Sequence, residues 1–253
     1  MPTYLPDTNV LIDYGRDPAV QSKLESAEHA GSKFVLAPSM MTELTVGVVK
    51  GGATYFAQNK KIFSWLQRHS GAILQLPLPF IGNTMGFPLK RSQVETNHYV
   101  QRIEIVVNSQ TFDQFLKSKD DAGNVWSDID KAVQIHDSQV DKEFTVLEKL
   151  AKMPKGKVDV AAGLCKTYST VGFNPDPKLF SQHFSAAVEY AEVSIAKIRL
   201  GANPRKNDRG RYGDFQLFFY LADPNITLLT SEDFSSDIKH SPQRTRILGL
   251  KAL

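Results

Sequence analysis

What the chain lacks narrows what it can be. It has one cysteine, Cys165, in 253 residues, so no disulfide can form within the chain and no multi-cysteine zinc site can be built. That scarcity suits a reducing compartment, with Cys165 expected to be a small buried residue. No apolar run approaches the roughly 18 residues needed to span a bilayer, and the first residues show no basic segment followed by an apolar core. A soluble, cytoplasmic protein with no membrane partner is expected. An excess of one charge is missing too: 30 Lys and Arg stand against 27 Asp and Glu, a formal net charge of +3. Overall charge therefore does not establish a nucleic-acid partner, and local clusters must carry that argument. The hydrophobic content of 42% is ample for a buried core, and a single elaborated domain over residues 1–253 is expected.

The stretch over residues 4–14 is the first to carry chemistry. It reads as a short strand whose end presents Asp7, followed by Thr8 and Asn9 and then the apolar turn of Val10, Leu11 and Ile12. Asp7 or Thr8 could simply cap that helix. In open α/β sheets, however, chemistry gathers in the crevice outside the carboxyl ends of the strands. Three further acids share such a setting. Glu43 opens a helix after the strand-like Phe34, Val35 and Leu36; Asp214 precedes the apolar Phe215; and Glu232 follows the strand-like residues 226–229. Asp233 is the alternative to Glu232, since either neighbour could point inward. Four acids beside parallel strands suggest a divalent metal, and hard oxygen ligands match Mg²⁺ or Mn²⁺.

Along the chain, Asp17 and Pro18 begin an expected helix that Gly31 ends. Residues 33–37 read as a strand, Pro38 begins the helix carrying Glu43, and residues 54–68 form another helix. A third strand is expected over residues 72–76. Residues 77–89, with three prolines and two glycines, are expected to be loop. From about 92 to 201 the pattern is mainly helical. It is ambiguous over residues 94–116, shows its clearest turn at 119–124, and is amphipathic over 127–152 and 176–200. The acids Asp120, Asp121, Asp128, Asp130, Asp137 and Asp141 read as a solvated face. A connector then carries Arg199, Arg205, Lys206, Arg209 and Arg211 against Asp208 alone, broken by glycines and a proline. Such a strip supplies sequence-independent phosphate contacts, and Tyr212 could stack on a base. A helix from Asp214, a buried strand over 225–229 and a final edge strand over 246–250 complete the pattern.

Together, the opening Asp7-Thr8-Asn9-Val10-Leu11-Ile12, the helical Thr42-Glu43-Leu44, and Asp214 followed by Glu232 in Leu228-Leu229-Thr230-Ser231-Glu232-Asp233-Phe234 resemble the PIN-domain nucleases. Similar proteins include the ribonuclease toxins of bacterial toxin–antitoxin pairs. That family usually has Thr-Asn-Asp in the last segment, so Glu232 takes the Asp place and Ser231 the Asn place. The resemblance covers roughly the first 50 and last 40 residues.

What it implies is a PIN-like three-layer α/β/α fold with a central parallel sheet, enlarged by a helical insertion over residues 92–200. The activity it implies is metal-dependent hydrolysis of phosphodiester bonds, in single-stranded RNA, with an antitoxin-like inhibitor protein as a possible partner. Asp7, Glu43, Asp214 and Glu232 would hold the ion, directly or through water. Thr8 and Asn9 would orient Asp7, while Thr230 and Ser231 would position the last acid. A catalytically silent PIN-like module that binds RNA or protein is the alternative. A haloacid dehalogenase-type phosphatase would want a second Asp where Asn9 stands.

Overall fold

Four short parallel strands organise the chain: β1 (Thr3–Pro6), β2 (Lys33–Phe34), β3 (Ile226–Thr230) and β4 (Ile247–Gly249), in the spatial order β2-β1-β3-β4. The structure is a computed structural model that describes residues 1–87, 93–118, 129–170, 172–203, 215–234 and 237–253, with the side chains of 93–96, 129–137, 139 and 140 left aside. The protein is mixed α/β and mostly helical. β1 and β3 come from opposite ends of the chain yet pair from Thr3↔Ile226 to Pro6↔Leu229. They are the inner strands of a parallel sheet, which are covered on both faces and read as apolar runs; Leu5, Leu228 and Leu229 are fully buried.

Local sequence explains most of the helices. α1 (Thr8–Arg16) follows β1 directly, and α2 (Pro18–His29) begins on an Asp17 cap with Pro18 in its first turn. The chain turns back at Gly31, whose φ is 90°. α3 (Pro38–Arg68) joins both expected helices across a break at Gly52, where φ 69° and ψ −161° favour glycine. Phe56, Ile62, Phe63 and Leu66 face inward as the spacing predicts.

Three expectations fail here for physical reasons. The strand over residues 72–76 shrinks to one parallel bridge, Leu36 to Ile73, because the tight turn Ser70–Ala72 and the following helix leave it no length. That helix, α4 (Pro77–Thr84), stands where loop was expected. Pro77 and Pro79 both fall in its first turn, where N–H groups have no intrahelical acceptor, so they start the helix and do not break it. The single helix over 176–200 is two, α9 (Pro177–His183) and α10 (Ser185–Arg199), parted at Phe184. Phe184 is fully buried against Phe180 and Phe219, with ring centroids 4.8 and 5.6 Å away.

In the middle region, α5 (Gln93–Asn108) and α6 (Phe112–Lys117) resolve the ambiguous stretch as helix, with Ile103 and Val106 buried one turn apart. α7 (Ile129–Lys152) buries Phe144, Leu147 and Leu150, and α8 (Val160–Thr167) starts on an Asp159 cap. The turn expected at 119–124 and the helix start at Ser127 lie outside the described residues. Residues 215–217 are helical and tighten into a 3₁₀ helix, Phe218–Ala222, in place of the expected continuous α-helix. Phe215 to Leu221 are all buried, so no polar face holds the run to a 3.6-residue period. One core cluster takes in residues of the sheet, the middle helices and this segment. Among the described residues no helix is long and apolar enough to cross a membrane.

Candidate active site

β1 hands over to α1 at Asp7. Its backbone N–H still donates to the Leu229 carbonyl of β3 at 2.9 Å, while Oδ1 accepts from the Val10 N–H at 2.6 Å and caps α1. The capping role is therefore real, but it uses one oxygen. Oδ2 accepts from the Thr230 hydroxyl at the end of β3. Asp7 is fully buried. Burial pushes its carboxyl up to about 6, although the bonds from Thr230 and Val10 favour the ionised form; the nearby charge of Glu232 adds to the rise.

Glu43, in the second turn of α3, accepts a hydrogen bond from the Thr8 hydroxyl. It keeps part of its surface open, yet enough protein surrounds the carboxyl for burial to push it up to about 7, with the Asp7 charge adding to the rise. Glu232, two residues past β3, accepts from Asn9 Nδ2 at 3.0 Å and is half-buried. Asp233 beside it is exposed.

The supporting contacts run across the expected pairing. Thr8 and Asn9 orient Glu43 and Glu232, not Asp7. Thr230 orients Asp7, and its oxygen also receives the Glu232 backbone N–H at 3.0 Å. Ser231 contributes its backbone N–H to Asp7. The crossing follows from geometry: Asp7 is buried at the seam between β1 and β3, so the hydroxyl on β3 reaches it. Thr8 and Asn9 already belong to α1 and point outward to the neighbouring elements.

Asp214 and the connector residues Arg205, Lys206, Arg209, Arg211 and Tyr212 lie outside the described residues. Among the described residues no three His, Cys, Asp or Glu side chains gather closely enough to hold an ion by themselves. Asp7, Glu43 and Glu232 bracket a site around the Thr8 and Asn9 side chains. Their chemistry fits a hard divalent cation: all donors are oxygens, and two of the carboxyls are held well above their ordinary range beside other acids. Mg²⁺ keeps several waters and needs only one or two carboxylates directly.

Sequence reasoning missed two cations next to this cluster. A pocket of about 550 Å³ opens beside β3 and β4, lined by Ser231, Glu232 and Asp233 after β3 and by Arg244, Ile247 and Lys251 in and around β4. The available signal was the placing of basic residues on both sides of the last strand. Fold and site together define a parallel α/β protein with acids grouped at the carboxyl ends of its two inner strands. Compared with known proteins, no family model, no curated protein and no solved structure matches the chain.

Proposed function

We propose that the chain is a Mg²⁺- or Mn²⁺-dependent nuclease that hydrolyses phosphodiester bonds in single-stranded RNA, on a PIN-like three-layer α/β/α domain enlarged by the helices of residues 92–200. The observation that carries this reading is the convergence of Asp7, Glu43 and Glu232, from widely separated stretches, onto Thr8, Asn9 and Thr230 at the ends of β1 and β3. A helix cap accounts for one Asp7 oxygen and for neither glutamate. Placing several acids together, two of them buried deeply enough to resist ionisation, is costly unless a cation compensates.

A divalent ion bound there would activate a water and offset charge on the attacking and leaving oxygens of an in-line displacement. Asp7 and Glu232 would hold it from the strand ends, and Glu43 and Asp214 from helices. Thr230 keeps Asp7 oriented, Thr8 keeps Glu43 oriented, and Asn9 keeps Glu232 oriented. Arg205, Lys206, Arg209 and Arg211 would take phosphates along the strand, with Tyr212 stacking on a base.

Purified protein should cut labelled single-stranded RNA in Mg²⁺ or Mn²⁺ and leave it intact in EDTA. Asp7→Asn preserves the cap, because Asn caps as well as Asp, but removes the charge. Cleavage should fall by more than the roughly 10- to 100-fold typical of losing an outer partner of a metal ligand. The melting temperature should hold or rise as a buried acid and its repulsion are removed. Full metal-dependent cleavage by Asp7→Asn would sink the mechanism. RNA that is bound but never cut would make the chain a silent binding module.

A further inference from the structure

The pocket between the ends of β3 and β4 shares Glu232 with the candidate ion site, so it begins where that site ends. Its lining carries charges of both signs. Glu232 and Asp233 follow β3, whereas Arg244 and Lys251 flank β4, in the 3₁₀ turns Pro242–Arg246 and Leu250–Ala252. Both cations are exposed, and among the described residues neither is held in an ion pair. Half-buried Ile247 and Leu250 give the pocket an apolar wall, and Ser231 adds a hydroxyl.

The segments with the cations are held in place from several directions. Lys23 Nζ donates to the Leu250 carbonyl at 2.9 Å, tying the last turn to α2. Arg246 donates to the Asp223 and Ile226 carbonyls at 2.7 and 2.8 Å, fixing the preceding turn against β3. The volume lies within the range of about 300 to 1,000 Å³ of small-ligand sites, which suits one nucleotide and excludes a duplex.

We propose that this pocket is the subsite for the nucleotide adjoining the scissile phosphate, with Arg244 and Lys251 on its phosphate and Ile247 and Leu250 against its base. The inference deepens the nuclease reading and rests on it for the word scissile. A phosphate here meets a lining that carries both two cations and two acids. A divalent ion held at Glu232 would offset those acids, while Arg244 and Lys251 supply the phosphate contacts themselves. Guanidinium and ammonium groups facing one phosphate give affinity without sequence preference.

The test measures binding apart from cutting. Asp7→Asn serves as the background with cleavage suppressed, and fluorescein-labelled single-stranded RNA is titrated by anisotropy in Mg²⁺ over a salt series. Adding Arg244→Ala and Lys251→Ala should weaken binding by about tenfold or more at low salt. It should also flatten the plot of log affinity against log salt by about 0.7, the contribution of one neutralised single-strand phosphate. Arg244→Lys, which retains the charge, should preserve most of the slope. An unchanged slope and affinity in the double Ala variant overturns the subsite. Cleavage by the otherwise native protein is assayed separately. If it cuts RNA and the slope is unchanged, the subsite alone is wrong. If it cuts nothing while the double Ala variant still loses slope and affinity, the nuclease reading falls and the phosphate pocket stands.

Discussion

Glu143, on α7, is a buried carboxyl outside the proposed ligand set, at 4% exposure. Oε1 accepts from the Tyr168 hydroxyl at 2.8 Å and from Gln216 Nε2 at 3.2 Å, while Oε2 has no partner among the described residues. Burial pushes the group up to about 7 despite those two bonds. Between the ordinary carboxyl range and about 7, the folded protein holds a proton that the unfolded chain has released. This contribution to stability is therefore complete at low pH and is lost as pH rises through about 7. Glu143→Gln removes the titration and keeps an acceptor for Tyr168, but its amide adds donors to a buried site, which costs about 1–3 kcal/mol if they stay unpaired. Urea unfolding should find the Gln variant the weaker at pH 5 and the gap closed or reversed at pH 8, with a relative gain on the order of 3 kcal/mol because each pKa unit is worth about 1.4. Parallel stability curves across that range would show that Glu143 does not titrate with folding.

At the scale of elements, β4 pairs with β3 in the sheet, and the segment leading into it is anchored by side-chain hydrogen bonds. The Glu189 carboxylate on α10 accepts from the N–H groups of Lys239, His240 and Ser241 at 2.7 to 3.1 Å. Partial burial works against its ionised form, but these bonds outweigh it and hold the carboxyl below its ordinary range. Gln243 accepts from the Ala186 N–H at 3.0 Å and donates to the His183 carbonyl at 2.6 Å. Glu189→Ala should cost about 2 kcal/mol, the scale of hydrogen bonds to a charged group, and should loosen the pocket beside β4. Glu189→Gln should recover part of the loss in denaturant unfolding, and equal losses in both variants would assign the effect to packing. Elements whose signals are local were legible in the sequence. Asp17-Pro18 announced α2, and the apolar run ending at Leu229 announced β3 with Glu232 beyond it. Elements decided by context were not: α4 is begun by the prolines that seemed to forbid it, and Phe184 breaks a helical pattern because its ring is needed in the core. The site divides the same way. Asp7 was readable from its place after a strand, but the crossing of Thr8 to Glu43 and Thr230 to Asp7 depends on strand pairing between opposite ends of the chain, which no local pattern records. The connector around Arg205 and Asp214, prominent in the sequence, lies outside the described residues.

For the whole molecule, the middle helices pack on one another and also on elements from the rest of the chain. α5 and α6 pack on α3, and α7 packs on α3, α8 and α10. Aromatic contacts join these helices to both ends of the chain: Phe56 meets Phe115 at 5.5 Å, Tyr168 meets Phe219 at 5.0 Å, and Tyr190 meets Phe218 and Phe234 at 5.1 and 6.0 Å. A fragment of residues 92–200 would expose the faces of Phe115, Tyr168, Phe180 and Phe184 that now touch partners outside it. Each large side chain left uncovered forfeits about 1.5–3 kcal/mol, a large share of the 5–15 kcal/mol that usually separates folded from unfolded. Phe219 is the sharpest probe because it is fully buried and packs on Phe180 and Phe184 as well as Tyr168. Phe219→Ala should destabilise by about 3–5 kcal/mol. The helical signal in far-ultraviolet circular dichroism and the aromatic signal in the near-ultraviolet should shift together in one transition. Two separated transitions, or limited proteolysis releasing a folded fragment of residues 92–200, would show instead that the helical middle is a domain in its own right.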